Sequence, residues 1–289
     1  PDVDKNTKNF YLENIFQIAA GHEFVLAAGL RDLTGTGAAP EKMVYSWGRN
    51  DYGQLGLGDG SQSGGLESKP QKITFTSDRL AGYSDNQGRK VILDVDGKFY
   101  AVDNTGVKLD PDPENPGQYL DIRSDRVITH YEEAKIVRVA AGTDFALAVD
   151  TEGTVYTWGR NIFGQIGNGL VSRPGSVANK EILYTKPTVV TALSQLGTDL
   201  VKPEFKIVDV YAGSYYQDQP QRFAAVRSQR GDIFIWGTSN NVQVKKYQST
   251  DTGNVATPNY LQAADVVDLA LDTRNTKSHA LNQRGDLIY

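Results

Sequence analysis

A twelve-residue motif occurs twice in this chain, and its recurrence limits the fold more than any other feature. The first copy runs from Tyr45 to Gly56 and reads Tyr-Ser-Trp-Gly-Arg-Asn-Asp-Tyr-Gly-Gln-Leu-Gly. The second copy begins 111 residues later, at Tyr156, and a shorter third copy, Phe-Ile-Trp-Gly, ends at Gly237. Because segments that recur at long intervals fold as repeated structural units, the motif predicts a repeat architecture.

Weaker copies between these motifs set the period. Val102 occupies the tryptophan position of one such copy, because Gly97 precedes it by five residues, as Gly153 precedes Trp158. The tryptophan positions 47, 102, 158 and 236 are therefore separated by 55, 56 and 78 residues, a period of about 55 with one longer unit. Residues 1–14 are interpreted as the outer strand of a preceding blade. The predicted repeats are about 15–73, 74–134, 135–205, 206–262 and an incomplete one at 263–289.

Residues 145–158 show what each repeat is expected to build. Phe145, Leu147 and Val149 alternate with smaller residues, which is the period of a β-strand. The Asp-x-x-Gly sequence ending at Gly153 then predicts a hairpin turn. One small sheet cannot bury both of its faces, so neighbouring sheets must pack together. We therefore expect an all-β fold, a β-propeller with four complete antiparallel blades and part of a fifth, forming a portion of a larger ring.

The motif, together with the Lys-Pro segments at Lys69 and Lys186, resembles the regulator-of-chromosome-condensation repeat. The resemblance implies a propeller, usually of seven blades, and it is close in the first and third repeats. Founding members of that family bind chromatin and exchange guanine nucleotides on a small GTPase. The structural signature that the resemblance assigns comprises Tyr45, Trp47, Gly48, Gly53, Gln54, Gly56, Tyr156, Trp158, Gly159, Gly164, Gln165, Gly167, Trp236 and Gly237.

Composition excludes several classes of function. The chain has 35 acidic and 30 basic residues, a net charge of −5 that disfavours a nucleic-acid partner. It contains no cysteine, which excludes disulfides and thiolate metal sites within it, and no apolar run long enough to span a membrane. The absence of cysteine and the single methionine are typical of bacterial surface and phage virion proteins. They predict an extracellular, cell-surface or virion location.

No catalytic constellation emerges from the sequence. The three histidines lie in different repeats, and no Gly-x-Ser-x-Gly nucleophile motif is present. Asp94 and Asp96 begin like a calcium loop but lack its closing glutamate. The glycine-rich stretch at 53–65 lacks the Gly-Lys-(Ser/Thr) ending of a phosphate loop. We therefore predict no enzyme activity, no cofactor and no metal site.

Two Arg-Gly-Asp tripeptides, ending at Asp232 and Asp286, could indicate adhesion. Each falls on the glycine of a predicted hairpin, however, so the repeat itself accounts for that glycine. A hairpin turn is the favoured interpretation for both.

The unequal loops between motifs are the expected partner-contact regions, because repeat proteins place function on loops that vary between units. They could equally be tolerated surface loops. The candidate contact residues are Asp112, Glu114, Tyr184, Tyr215 and Tyr216. The favoured hypothesis is a non-catalytic protein-interaction or structural module of a bacterial surface or virion protein. The alternatives are a regulator or exchange factor of a small GTPase and a glycan-binding adhesin or carbohydrate-active propeller.

Overall fold

The chain folds into consecutive antiparallel sheets. The computed structural model describes residues 12, 14–31, 41–58, 65–81, 90–93, 99–102, 119–121, 126–128, 130–171, 183–190, 192–193, 206–215, 221–238, 254–261, 265–271 and 278–288. Within these residues the only helical assignment is a single turn at 192–193. The predicted all-β class is therefore confirmed.

Three sheets carry the full repeat, with four strands hydrogen-bonded in sequence order. Sheet one contains β1 (Ile15–Ala20), β2 (Phe24–Arg31), β3 (Glu41–Arg49) and β4 (Leu66–Ile73). Sheet three contains β11 (Ile136–Ala141), β12 (Phe145–Asp150), β13 (Val155–Gly159) and β14 (Tyr184–Val189). Sheet four contains β15 (Ile207–Tyr215), β16 (Gln221–Ser228), β17 (Ile233–Thr238) and β18 (Asn254–Leu261).

The remaining strands form three further sheets. Sheet two has the strand order β10-β5-β6-β7, from β5 (Thr76–Ala81), β6 (Lys90–Leu93), β7 (Phe99–Val102) and β10 (His130–Glu133). A small pair joins β8 (Tyr119–Asp121) to β9 (Arg126–Ile128). Sheet five has three strands, β19 (Val266–Leu271), β20 (Ser278–Asn282) and β21 (Leu287–Ile288). Among the described residues, four four-stranded sheets and one of three strands agree with the predicted propeller of four complete blades and part of a fifth.

The predicted hairpins form as the sequence indicates. Phe145 pairs with Gly159 and Val149 with Val155, so the two strands keep one register along their length. Asp150 closes the turn, since its Oδ1 accepts hydrogen bonds from the backbone N–H groups of residues 152 and 154, both at 2.9 Å. Gly153 has a φ of +89°, a conformation that side chains with a Cβ disfavour. Sequence pattern and turn chemistry therefore agree at this hairpin.

Sheet one packs directly against sheet three. Leu26 and Ala28 on β2 belong to the same buried cluster as Tyr156 and Trp158 on β13. Phe75, which follows β4, lies edge-on to both aromatic rings of sheet three, with centroids 5.5 Å away. A second cluster joins sheet three to sheets four and five. The described core is therefore a stack in the order one, three, four and five.

The strand order of sheet two differs from that of the sheets in the stack. Its last strand pairs with its first, His130 with Ala81, whereas the last strand of each full sheet pairs with the third. Val102, predicted to stand at a tryptophan position, lies at the end of β7 opposite Lys90. The repeat boundaries inferred from the sequence stay a prediction. The structure adds that sheets one and three touch each other.

Among the described residues, no helix has the length and apolar character needed to cross a lipid bilayer.

Candidate interaction face

The loop that follows the third strand of sheets one and three is folded by its own side chains. In sheet one, Asn50 Oδ1 accepts a hydrogen bond from the backbone of Leu55 at 3.1 Å, and Gln54 Oε1 accepts one from Tyr52 at 2.8 Å. In sheet three, Asn161 and Gln165 make the same two bonds, at 3.0 and 2.9 Å. Because both polar side chains are buried, these bonds replace lost hydration and hold the loop in one shape. We call each of these segments, 50–58 and 161–169, a box loop.

Each box loop receives the tryptophan of the next sheet in the stack. The indole N–H of Trp158 donates to the carbonyl of Gln54, and that of Trp236 donates to the carbonyl of Gln165, both at 2.8 Å. A Cβ added at Gly56 would lie only 2.8 Å from Nε1 of Trp158, so the indole needs the glycine. Trp158 and Trp236 thus join their sheets to the box loops of the preceding sheets in the stack.

The turn between the first two strands lies at the same end of each sheet as the box loop. This follows from antiparallel order, since the first and third strands run in the same direction. The backbone N–H of Arg49 donates to the carbonyl of Glu23 at 2.8 Å, and that of Arg160 donates to the carbonyl of Asp144 at 2.9 Å. These two bonds hold an arginine beside an acidic residue in both sheets.

In sheet one this acid–base pair is exposed. Arg49 Nη1 lies 2.7 Å from Glu23 Oε2, and about half of each side chain is accessible to solvent. Arg49 also contacts Asp51 through Nε. Both acidic partners raise the pKa of the Arg49 guanidinium, and the hydrogen bond that Arg49 donates to Glu23 contributes most. The Arg49 guanidinium is therefore charged and accessible to solvent.

In sheet three the equivalent carboxylate is buried between two arginines. Asp144 Oδ1 lies 2.5 Å from Arg222 Nε, and both side chains are only 3% exposed. Arg160 Nη1 lies 3.5 Å from the other carboxylate oxygen. Burial raises the pKa of Asp144 above its ordinary value, and the two guanidinium groups oppose the shift. Since Arg222 belongs to sheet four, this ion pair links two sheets.

Aromatic side chains of the box loops cover these arginines. The Arg160 guanidinium lies 4.2 Å from the ring centroid of Tyr52, in the box loop of sheet one. The Arg222 guanidinium lies 5.5 Å from the ring centroid of Phe163, in the box loop of sheet three. Both distances allow a cation–π attraction. Alternating charged and aromatic groups therefore run across three sheets, and we call this set the loop face: Glu23, Arg49, Asp51, Tyr52, Asp144, Arg160, Phe163 and Arg222.

The loop face combines charged and aromatic side chains. It offers fixed guanidinium donors, carboxylate acceptors and partly exposed rings, and of these groups arginine and aromatic side chains are enriched at protein–protein interfaces. Across the part of the chain that the structure describes, no group of three or more His, Cys, Asp or Glu side chains is placed to hold a metal ion.

The predicted partner-contact residues are not gathered at one place by the described structure. Tyr184 lies at the start of β14, partly buried, and its hydroxyl accepts a hydrogen bond from Asn168 Nδ2 at 2.5 Å. Tyr215 ends β15, but its side chain is outside the description. Asp112, Glu114 and Tyr216 lie outside the described residues. Their role in partner contact stays a prediction.

The Arg-Gly-Asp tripeptides occupy hairpin turns, as expected. Gly231 and Gly285 have φ values of +92° and +83°. Asp232 is buried, and its carboxylate accepts hydrogen bonds from Ser228 Oγ at 3.0 Å and from the Tyr260 hydroxyl at 2.9 Å. That aspartate therefore serves the hairpin of its own sheet.

Sequence reasoning named none of the loop-face residues as a candidate contact, although five of them lie within the two copies of the motif. A usable signal was present, because Glu23, Asp144 and Arg222 each directly precede a phenylalanine at or near the start of the second strand. A charged residue recurring at that register in three repeats marks a fixed position at one end of the sheets. At this position sheet four has a basic residue, Arg222, instead of an acidic one. This change in the sign of the charge indicates the ion pair with Asp144.

Comparison with protein-family models identifies the repeats. The regulator of chromosome condensation (RCC1) repeat matches residues 43–84 and 152–216, and a second model of the same description matches residues 136–165. The chain therefore carries RCC1-type repeats.

Several named proteins can be aligned with most of this chain. The E3 ubiquitin-protein ligase HERC2 of Mus musculus is 28% identical over 92% of this chain, which covers 5% of that protein. The Ultraviolet-B receptor UVR8 of Arabidopsis thaliana is 27% identical over 65%, and the protein RCC2 homolog of Danio rerio is 27% identical over 68%. The chain covers 39% and 38% of those two proteins.

Solved structures with some similarity include human WBSCR16, at 22% identity and a TM-score of 0.42, over 96% of this chain and 62% of that one. Another is Prp20p of Saccharomyces cerevisiae, studied for its binding to Gsp1p and histones, at 19% identity and a TM-score of 0.36. The match spans 89% of this chain and 52% of that one.

Proposed function

We propose that this chain, which carries RCC1-type repeats, is a protein-binding module that contacts its partner through the loop face. The observation that carries the proposal is the continuous row of ion pairs and cation–π contacts across sheets one, three and four. Its exposed end, Glu23 and Arg49, is held in place by backbone hydrogen bonds of the same turn. A partner therefore meets charged groups whose orientation is already fixed, which lowers the entropy cost of binding.

The design of the face favours a protein over a small substrate. Its charged groups are spread along several sheets, and it combines arginine with aromatic rings, the side chains that most often dominate protein interfaces. Arg49 and Glu23 lie at the accessible edge, where charges set orientation and association rate. The buried Asp144–Arg222 pair keeps the sheets beneath that edge in register.

The test is a charge reversal at the exposed end. Partners would be recovered by affinity purification of the 289-residue chain from cells that produce it, identified by mass spectrometry and measured again with purified components. We expect Arg49→Glu to weaken the binding of the true partner by about tenfold, which corresponds to about 1.4 kcal/mol.

A matched control lies at the opposite end of the sheets. Arg284 occupies a hairpin turn, is 84% exposed and lies 3.4 Å from Asp286, so Arg284→Glu makes the same charge change in a similar local pair. This variant should bind as the wild type does. Equal weakening by both variants would indicate a general effect of net charge and would reject the loop face as the binding site.

A second candidate function is regulation of a small GTPase, including guanine-nucleotide exchange. It is supported by the RCC1-type repeats themselves, given the activity of the founding members of the family. If it is correct, the chain accelerates release of fluorescent GDP from at least one member of a panel of small GTPases. Arg49→Glu then reduces that acceleration and Arg284→Glu does not.

The two candidates separate cleanly in these experiments. A partner that binds through the loop face without any effect on nucleotide release supports the first and removes the second. The relatives named above come from animals and a plant, so they give no support to a bacterial surface or virion context. Glycan binding likewise gains no support.

A further inference from the structure

Exposed apolar side chains are concentrated at the two ends of the described stack. Of the nine large hydrophobic residues that are exposed in the described chain, seven lie on strands of sheet one or sheet five: Phe16, Ile18, Leu30, Leu66, Val267, Leu281 and Leu287. None lies on a described strand of sheet three, which packs against a neighbour on both faces. The two end sheets therefore keep apolar surface that an inner sheet buries.

One residue on the free face of sheet one shows this most clearly. Leu26 and Ala28 pack toward sheet three, so the residue between them faces the other way, and Ile18 pairs with that residue. Val139 and Val210 occupy the same position in sheets three and four. Ile18 is 67% exposed, whereas Val139 and Val210 are 2% and 4% exposed. A β-branched residue that is buried in two sheets is thus left in water in the first.

The free face of sheet one also repeats the two polar groups with which sheet three binds a box loop. The indole N–H of Trp158 donates to a carbonyl of the box loop of sheet one, and the carbonyl of Thr185 accepts from an N–H of that loop, both at 2.8 Å. By strand register, Trp47 and Ser68 are the equivalent residues of sheet one. Among the described residues, the indole N–H of Trp47 has no acceptor. We call Ile18, Trp47 and Ser68 the outer face.

The junction between sheets three and four uses the same two groups. The indole N–H of Trp236 donates to the box loop of sheet three, and the carbonyl of Ala256 accepts from it, both at 2.8 Å. Ala256 stands at the register position of Thr185. Two junctions built alike show what such a face binds: a box loop that offers a carbonyl to the indole and an N–H to the fourth strand.

Both complete box loops of this chain are already occupied. The sequence Asn-x-x-x-Gln-x-Gly, whose side chains fold the loop, occurs at Asn50 and Asn161 and nowhere else in the 289 residues. Trp158 and Trp236 fill these two loops. A second copy of the chain therefore has no free loop of this kind to place on the outer face.

We propose that the outer face is a docking site for a blade of the same repeat type that lies outside these 289 residues and presents an Asn-x-x-x-Gln-x-Gly loop. The Trp47 indole donates to a carbonyl of that loop, the Ser68 carbonyl accepts from one of its N–H groups, and Ile18 is buried beneath it. This surface is separate from the loop face, and the proposal holds whichever partner the loop face binds.

The first test identifies the occupant in cells that produce the protein. A photoreactive benzoylphenylalanine replaces the exposed Ser68, and the cross-linked peptides are sequenced by mass spectrometry. We expect a peptide from outside the 289 residues that contains Asn-x-x-x-Gln-x-Gly. The same label at Arg284, whose side chain is 84% exposed in a hairpin turn, is the control and should not capture that peptide. A cross-link to a second copy, to a sequence without the motif or to nothing would overturn the proposal.

The second test supplies a blade of known sequence. Residues 15–73 are placed before residues 11–289, so that residues 11–14 form a connection of four residues, as between Leu261 and Val266. The added copy carries Gly53→Cys and the original sheet one carries Ser68→Cys, in a chain that otherwise has no cysteine. In the observed junction a Cβ at position 53 would lie 3.3 Å from the Cβ of Thr185, close to the separation in a disulfide. We expect near-complete oxidation in the monomer, seen as a mobility shift that a reductant reverses.

Three variants make this result decisive. Gly53→Cys with Thr185→Cys in the unextended chain is the positive control for the geometry. In the extended chain, Asn50→Ala in the added copy unfolds its box loop, and Ile18→Asp in the original sheet charges the outer face, so each should slow oxidation at least tenfold. If the positive control oxidises and the extended chain does not, or if both variants oxidise as fast as their parent, the outer face does not bind a box loop.

Discussion

Sheets one and three carry nearly the same motif, yet their tryptophans have different surroundings. Trp158 is fully buried, donates its indole N–H to Gln54 of sheet one and packs against Phe75. Trp47, at the same position of sheet one, is only partly buried. Both side chains lie on the corresponding face of their sheets, as shown by the pairing of Val25 with Trp47 and of Ala146 with Trp158.

The difference shows that the tryptophan of the motif is fully buried only where a neighbouring sheet packs against it. Within sheet one, Asn50 and Gln54 fold the box loop as Asn161 and Gln165 do in sheet three. What distinguishes the two sheets is the neighbour on the tryptophan side. The acidic residues differ because of the sheet on the opposite side. Asp144 is buried against Arg222 of sheet four, whereas the sheet that packs on sheet one has Asp144, not an arginine, at the equivalent position, and Glu23 is exposed.

The largest difference in lost stability between equivalent substitutions in the two sheets is expected at the two tryptophans. Trp158→Ala should lower the free energy of unfolding by about 3–5 kcal/mol, because it removes a fully buried ring and leaves a cavity between sheets. Trp47→Ala should cost about 1–2 kcal/mol, because part of its indole is already in water. Urea unfolding followed by circular dichroism measures both, and equal losses would contradict the contrast.

A smaller contrast is expected at the two acidic residues. Asp144→Asn leaves Arg222 buried without its carboxylate, and loss of one partner of a buried pair costs about 3 kcal/mol. Glu23→Gln removes an exposed pair and should cost less than about 1 kcal/mol. The same unfolding assay applies. Arg222→Met combined with Asp144→Asn should recover part of the loss, because the unpaired charge is then absent.

No contrast is expected at the glycines that follow the tryptophans. Gly48 and Gly159 have φ values of +106° and +102°, and a Cβ would lie 2.4 Å from the carbonyl of Glu23 and 2.5 Å from that of Asp144. These contacts lie within each sheet. Gly48→Ala and Gly159→Ala should therefore destabilise equally, by about 2 kcal/mol each, from the strained φ and the backbone clash. Unequal losses would show that neighbouring sheets also shape the turn.

Much of this fold could be predicted from the sequence because its determinants are local. Large and small residues alternate from Phe145 to Val149, and this segment forms a strand that pairs with the next one. The Asp-x-x-Gly sequence ends at Gly153, whose φ lies in the left-handed region that favours glycine. The number of complete sheets followed from the repeat of such hairpins. Trp158 and Gly56, both members of the predicted structural signature, lie in contact with each other.

The loop face was harder to predict because its contacts are remote in sequence. Asp144 and Arg222 are 78 residues apart, and Gln54 and Trp158 are 104 apart. The first separation equals the 78-residue step between the tryptophans of sheets three and four, whereas the second is about two periods. A regular period read along the chain does not by itself show which sheets are in contact.

The sequence by itself determined the strands, the hairpin turns and the internal structure of each box loop, because these depend on bonds between residues a few positions apart. The tertiary structure decided which sheets are neighbours, which tryptophan is buried and which carboxylate loses its water. Those outcomes depend on faces that meet only after the sheets have formed. The motif at Tyr45 and Tyr156 is therefore one local structure with two environments, and the environment sets its energetic contribution.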